Sequence, residues 1–124
     1  MGPGNTNPQA GELVSIVNQA HLTKLVKEYP VVVVDFWSQT CPPCMRFKPV
    51  FEGAAHGNKN KKVVFAMVNC DQVRDCATAN NVRALPTFKF FFEGECAETM
   101  EGANEPLFRK HLNDMHEKTM SKSS

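Results

Sequence analysis

The sequence is poor in features that would assign a function by composition. Net charge is scarce: fourteen Lys and Arg stand against thirteen Asp and Glu, a formal +1 over 124 residues. No electrostatic case for a nucleic acid or an anionic membrane surface follows from that balance. Long hydrophobic runs are missing, and the apolar stretches present are far too short to cross a bilayer. The N-terminus has neither the basic start nor the apolar core of a secretory signal. The five cysteines have neither the even count nor the spacing of a disulfide framework. That usage fits a reducing compartment, and the cytoplasm is the expected location. Zinc is disfavoured, because Cys70, Cys76 and Cys96 are widely spaced and the four histidines form no paired motif. A glycine-rich dinucleotide fingerprint is absent, as are internal repeats and linkers. The chain reads as one domain with a single core.

What is present is Cys41-Pro42-Pro43-Cys44, directly after the apolar run from Val31 to Trp37. Helical-looking sequence follows from Met45 to Ala55. The first turn of a helix has unpaired backbone N–H groups and a partial positive charge, which favour a thiolate. A second cysteine three residues on is close enough to attack a mixed disulfide and release product. A purely structural disulfide is disfavoured, because so short a loop adds little stability. The pair therefore reads as a dithiol that cycles with a disulfide.

The remaining pattern alternates strands and helices. Leu13 to Val17 starts a strand, and Asn18 caps a helix through Glu28 whose Leu22, Leu25, Val26 and Tyr29 share one face. Val31 to Trp37 is β-branched and continuous, as in a central strand covered on both sides. Phe47, Val50, Phe51 and Ala54 form the apolar face of the next helix, with Pro49 inside it. Val63 to Val68 predicts a second buried strand, and Gln72 to Asn80 a short helix with Val73, Cys76 and Ala77 inward. Thr87 to Phe92 predicts a third core strand, with a hairpin at Glu93-Gly94. Glu105 to Glu117 predicts a terminal amphipathic helix carrying Phe108, Leu112 and Met115. The order βαβαβαββα gives a mixed sheet with helices on both faces.

From Leu13 to Met115 the chain resembles the thioredoxin family. The resemblance rests on Val33-Val34-Asp35-Phe36-Trp37, the Cys41 and Cys44 pair, and Pro49. It also includes Asn69-Cys70-Asp71, Ala84-Leu85-Pro86-Thr87-Phe88 and Gly102-Ala103. It implies an α/β fold, a thioredoxin-like three-layer α/β/α sandwich with a mixed central sheet. The domain spans 12–117, between a flexible segment 1–11 and a flexible tail 118–124. The activity implied is protein-disulfide reduction, with Cys41 attacking and Cys44 resolving. Asp35 resembles the family's buried carboxylate; an acid amid valines is costly to bury charged, so its pKa should rise and it can accept a proton. Pro86 resembles the family's cis-proline, and Leu85 before it offers backbone hydrogen bonds to an extended substrate. Trp37 supports the active-site loop, with Asp71 expected on its indole N–H. Thr40, Pro42, Pro43, Gly102 and Ala103 complete the expected substrate surface. No bound cofactor is needed. The resemblance further implies reducing equivalents from NADPH through a flavin-dependent thioredoxin reductase, and the expected partners are that reductase and disulfide-containing proteins, with a monomer expected.

Three departures from the family pattern stand out. Thr40 replaces the tryptophan before the first cysteine. Pro42 replaces the glycine between the cysteines. Met67 occupies the place of a lysine near the buried acid, which predicts an Asp35 without a cationic partner. Cys76 is expected to be a buried inert thiol, Cys70 partly exposed, and Cys96 near a sheet edge and open to oxidation. Two rival readings are an adaptor domain of thioredoxin shape with weak redox activity, and a disulfide oxidase or isomerase.

Overall fold

A computed structural model describes residues 8–121. Its elements follow the expected order: β1 (Leu13–Ser15), α1 (Gln19–Glu28), β2 (Val31–Trp37), α2 (Pro42–His56), β3 (Val63–Asn69), α3 (Arg74–Ala79), β4 (Thr87–Phe92), β5 (Glu95–Glu101) and α4 (Glu105–Ser121). The sheet order is β1-β3-β2-β4-β5, with β1, β3 and β2 parallel, β4 antiparallel to β2, and β5 antiparallel to β4. Strand β2 lies in the middle, and its four valines are fully buried. Alternation along a strand sends successive side chains to opposite faces. Val31 and Val33 meet Phe47 and Phe51 of α2 and Phe108, Leu112 and Met115 of α4. Val32, Val34 and Phe36 meet Leu22, Leu25 and Val26 of α1 and Cys76 of α3. Helices thus cover both faces, giving the thioredoxin-like sandwich. Phe108 lies within 6 Å, ring to ring, of Phe47, Phe51, Phe88 and Phe90, so aromatic packing fixes α4 on the sheet.

Turn and cap chemistry explains most boundaries. Asn18 caps α1 by accepting from the His21 N–H at 2.8 Å. Glu93 and Gly94 have φ of 51° and 90°, the two left-handed residues that a two-residue hairpin of type I′ needs.

Several boundaries differ from expectation, beginning with β1, which stops at Ser15 rather than Val17. Helix α2 begins at Pro42 rather than after Cys44, because proline suits the first turn, where its missing N–H has no intrahelical partner. Helix α3 starts at Arg74, without a side-chain cap. Helix α4 runs past Glu117 to Ser121, so 118–121 is helix rather than tail; Thr119 is buried and accepts from Asn60 Nδ2 at 3.0 Å. Residues 9–12 form a turn, Glu12 N–H donating to Gln9 O at 3.0 Å, and Gly11 O faces His56 Nδ1 at 3.0 Å. The rest of the expected flexible segments, 1–7 and 122–124, lies outside the described residues.

Candidate active site

The sheet register gathers the candidate residues at one end. Trp37, the last residue of β2, pairs with Asn69 of β3, and Phe36 pairs with Thr87 of β4. Thr87 in turn pairs with Glu101 of β5. The segments 38–44, 70–71, 84–86 and 102–103 therefore all leave the sheet at the same end. Gly102 N–H donates to Pro86 O at 2.8 Å, and Arg83 pairs with Glu101 at 3.1 Å, joining two of these segments.

Cys41 and Cys44 are joined by a disulfide, with Cα atoms 5.2 Å apart. Cys41 is the N-cap of α2, and its sulfur accepts the Cys44 N–H at 3.2 Å. Pro42 and Pro43 fill the first helical positions. The two sulfur-bearing residues differ in access: Cys41 is half-buried, whereas Cys44 is 2% exposed. A partner can approach Cys41 and not Cys44.

Asp35 is 1% exposed, on β2 between Met67 of β3 and Phe88 of β4. Its place in the alternation puts it on the face covered by α2, the helix that carries Cys44. Its Oδ1 has no hydrogen-bond partner among the described residues. Burial pushes its pKa up from 3.8 to about 7, and the charge of Lys48 opposes that rise. A cation therefore does reach Asp35, contrary to the expectation drawn from Met67. It comes from α2 instead of β3, and Lys48 Nζ also sits 4.9 Å from the Trp37 ring centre. An acid poised near neutrality can accept a proton at physiological pH.

The Leu85–Pro86 peptide is cis, as the sequence led us to expect. Leu85 is half-buried, Pro86 buried, and Ala103 exposed. Trp37 is partly buried against the core under α2. Asp71 does not hold its indole. The Asp71 carboxylate instead accepts from Ser38 Oγ at 2.8 Å and from Gln39 N–H at 3.3 Å. Asp71 follows β3 beside the segment after Trp37, so that segment's short polar groups reach it first. Ser38 Oγ also lies 3.0 Å from Thr40 Oγ1 and accepts the Thr40 N–H at 3.2 Å. Ser38 and Lys48 are the residues that sequence reasoning missed. Ser38 carries a signal in hindsight, a small polar residue directly after a buried strand. Lys48 carries none.

The three other cysteines behave differently from one another. Cys76 is buried and its thiol is pushed up to about 11 by burial, with Asp75 adding to the rise. Cys70 is half-buried and is pushed up to about 11 by burial and then by Asp71 and Asp35. Cys96 is exposed on the edge strand β5. Among the described residues no group of three or more His, Cys, Asp and Glu could hold a metal ion, and no helix is long and apolar enough to cross a membrane.

Comparison with known proteins agrees with this geometry. The family model for thioredoxin matches residues 12–114. The thioredoxin of Coprinus comatus is 32% identical over 101 residues, covering 78% of this chain and 95% of its own length. The structure of Fasciola hepatica thioredoxin superposes with a TM-score of 0.77 at 34% identity, over 82% of this chain and 98% of that one. Malassezia sympodialis thioredoxin superposes at 0.79 and 29% identity, over 90% and 96%. With a matching fold, a bonded cysteine pair at the start of α2 and a family model spanning most of its length, the chain belongs to the thioredoxin family and is a thiol–disulfide oxidoreductase.

Proposed function

We propose that Cys41 is the attacking and Cys44 the resolving thiol of this protein-disulfide reductase. The contrast in access carries the assignment, since only Cys41 is open to a polypeptide disulfide. The Cys41 thiolate attacks one substrate sulfur, the substrate S–S bond breaks, and the other sulfur leaves and takes up a proton. Asp35 accepts the Cys44 proton through water. The Cys44 thiolate then attacks Cys41 Sγ, breaking the mixed disulfide. The second substrate sulfur leaves reduced, and the two electrons gained by the substrate are balanced by the Cys41–Cys44 disulfide.

Trp37, Thr40, Pro42, Pro43, Leu85, Pro86, Gly102 and Ala103 form the substrate surface in this reading. Their common position at one end of the sheet supports it. Thioredoxins need no bound cofactor. The family resemblance implies that the disulfide is re-reduced by a flavin-dependent thioredoxin reductase drawing on NADPH. The domain, which runs to the end of α4 at Ser121, works as a monomer in the cytoplasm on disulfide-containing proteins.

The test is trapping. A Cys44→Ser variant should accumulate a mixed disulfide with a protein substrate, released by dithiothreitol, and Cys41→Ser should trap nothing. Trapping by Cys41→Ser and not by Cys44→Ser would reverse the roles.

A further inference from the structure

The hydrogen bonds before Cys41 fix the direction of a hydroxyl at the proposed substrate surface. A serine hydroxyl has one proton to give and two lone pairs to receive. The Ser38 proton goes to Asp71 Oδ2, at 2.8 Å. One Ser38 lone pair takes the Thr40 N–H, at 3.2 Å. The contact of 3.0 Å between Ser38 Oγ and Thr40 Oγ1 can be made in either direction by geometry alone. The proton count decides it: Ser38 has no second proton, so Thr40 must donate. Ser38 is 4% exposed, so water has little access to compete for these positions. Thr40 is exposed as a residue, and with its only proton committed inward its hydroxyl can only accept from an incoming molecule.

We propose that Thr40 is a specificity-determining residue that selects polypeptide disulfides carrying a hydrogen-bond donor beside the reacting cysteine. Ser38 and Asp71 are its positioning residues, holding the hydroxyl in the accepting sense. The inference rests on the reading of Thr40 as part of the substrate surface, and it deepens that reading. A side-chain amide N–H next to the substrate cysteine meets the Thr40 lone pairs. A group with only acceptors meets lone pairs with lone pairs. Asp71 reinforces the preference, because it places a second acceptor next to Ser38 and Gln39.

The experiment uses two synthetic disulfide peptides that differ at the residue flanking the reactive cysteine. One carries Gln. The other carries its side-chain N,N-dimethyl analogue, which keeps the carbonyl acceptor and has no N–H. Their kcat/KM ratio is measured for the full chain and for Thr40→Val and Ser38→Ala, with the pair kept reduced by a recycling system. The full chain should favour the Gln peptide by about 2- to 10-fold, the range of one neutral hydrogen bond. Thr40→Val keeps the shape and loses the acceptor, so any ratio it retains measures the bulk of the methyl groups; the ratio should fall towards one. Ser38→Ala frees the Thr40 proton to turn outward, so the ratio should fall there too. A Thr40→Val ratio equal to that of the full chain would overturn the proposal, as would an undiminished ratio in Ser38→Ala. Failure of the full chain to reduce either peptide would instead overturn the reductase reading, and the preference with it.

Discussion

The burial of Asp35 should cost stability in a pH-dependent way that one substitution can isolate. Its pKa rises from 3.8 to about 7, chiefly through desolvation. At low pH the carboxyl is neutral in folded and unfolded chains alike, and its burial carries no charge penalty. As pH rises through the unfolded value the unfolded chain ionises first, and stability falls until the folded carboxyl ionises as well. The loss therefore develops from about pH 4 to about pH 7 and is constant above. A shift of about three units at about 1.4 kcal/mol each gives a penalty of about 4 kcal/mol at its plateau. Asp35→Asn keeps the shape and cannot ionise. The stability of the variant relative to the parent should therefore grow by about 4 kcal/mol between pH 4 and pH 8.

Urea unfolding of the two proteins across that range measures the difference directly. Both must be kept oxidised, so that Cys44 does not titrate with its neighbour. Taking the difference cancels groups common to both, including His116, which burial lowers and which destabilises the fold on the acid side. Because the Lys48 charge opposes the rise, a Lys48→Met background should carry the growth beyond neutral pH. A difference that stays flat within about 1 kcal/mol from pH 4 to pH 8 would refute the reasoning, since it would leave Asp35 with an ordinary pKa.

Other substitutions test the packing, the caps and the thiols. Phe108→Ala removes a fully buried ring that touches four other phenylalanines, and should cost about 3–5 kcal/mol in denaturant unfolding. Asn18→Ala deletes the acceptor for the His21 N–H and should cost about 1 kcal/mol in the same measurement. In the oxidised protein, iodoacetamide at pH 8 should label Cys96 long before Cys70 and Cys76, whose thiols are pushed up to about 11; mass spectrometry of the peptides gives the order. Pro43→Ala restores a backbone N–H at the second position of α2 and should move the dithiol–disulfide equilibrium with glutathione towards the dithiol, by up to about 10-fold.

The fold was legible wherever hydrophobic periodicity carried it. Four valines in a row fit a strand buried on both faces, and Phe108, Leu112 and Met115 fit a helix with one buried side. Legibility ended where a boundary rests on polar contacts between distant residues. Nothing in the spacing of Lys118 and Thr119 announces a further helical turn; it is held through Thr119 by Asn60, 59 positions earlier. The start of α2 was misplaced for a different reason, since a proline pair reads as a break until the first-turn exception is applied. The site divides the same way. Asp35 stood out as an acid among valines. The cation acting on it came from another element, and the acceptor for Ser38 lies 33 residues away. No local pattern encodes such pairs, because sheet register and helix placement bring them together.

The double proline also bears on the direction of the chemistry. An N-cap side chain accepts from the second or third helical N–H. Pro43 takes the second position and has none, so the Cys41 sulfur is served by the Cys44 N–H alone. A thiolate with fewer donors is less stabilised, and a less stabilised reduced form makes a stronger reductant. Pro42 and Pro43 also fix two φ angles in the dithiol form, so closing the ring costs less backbone entropy than it would with glycine between the cysteines. That effect again favours the disulfide over the dithiol within this chain. The missing N–H of Pro43 and the stiffening that Pro42 adds in place of glycine have the same sign. They favour passing electrons to substrates over withdrawing them, and so weigh against the oxidase reading on grounds independent of any resemblance.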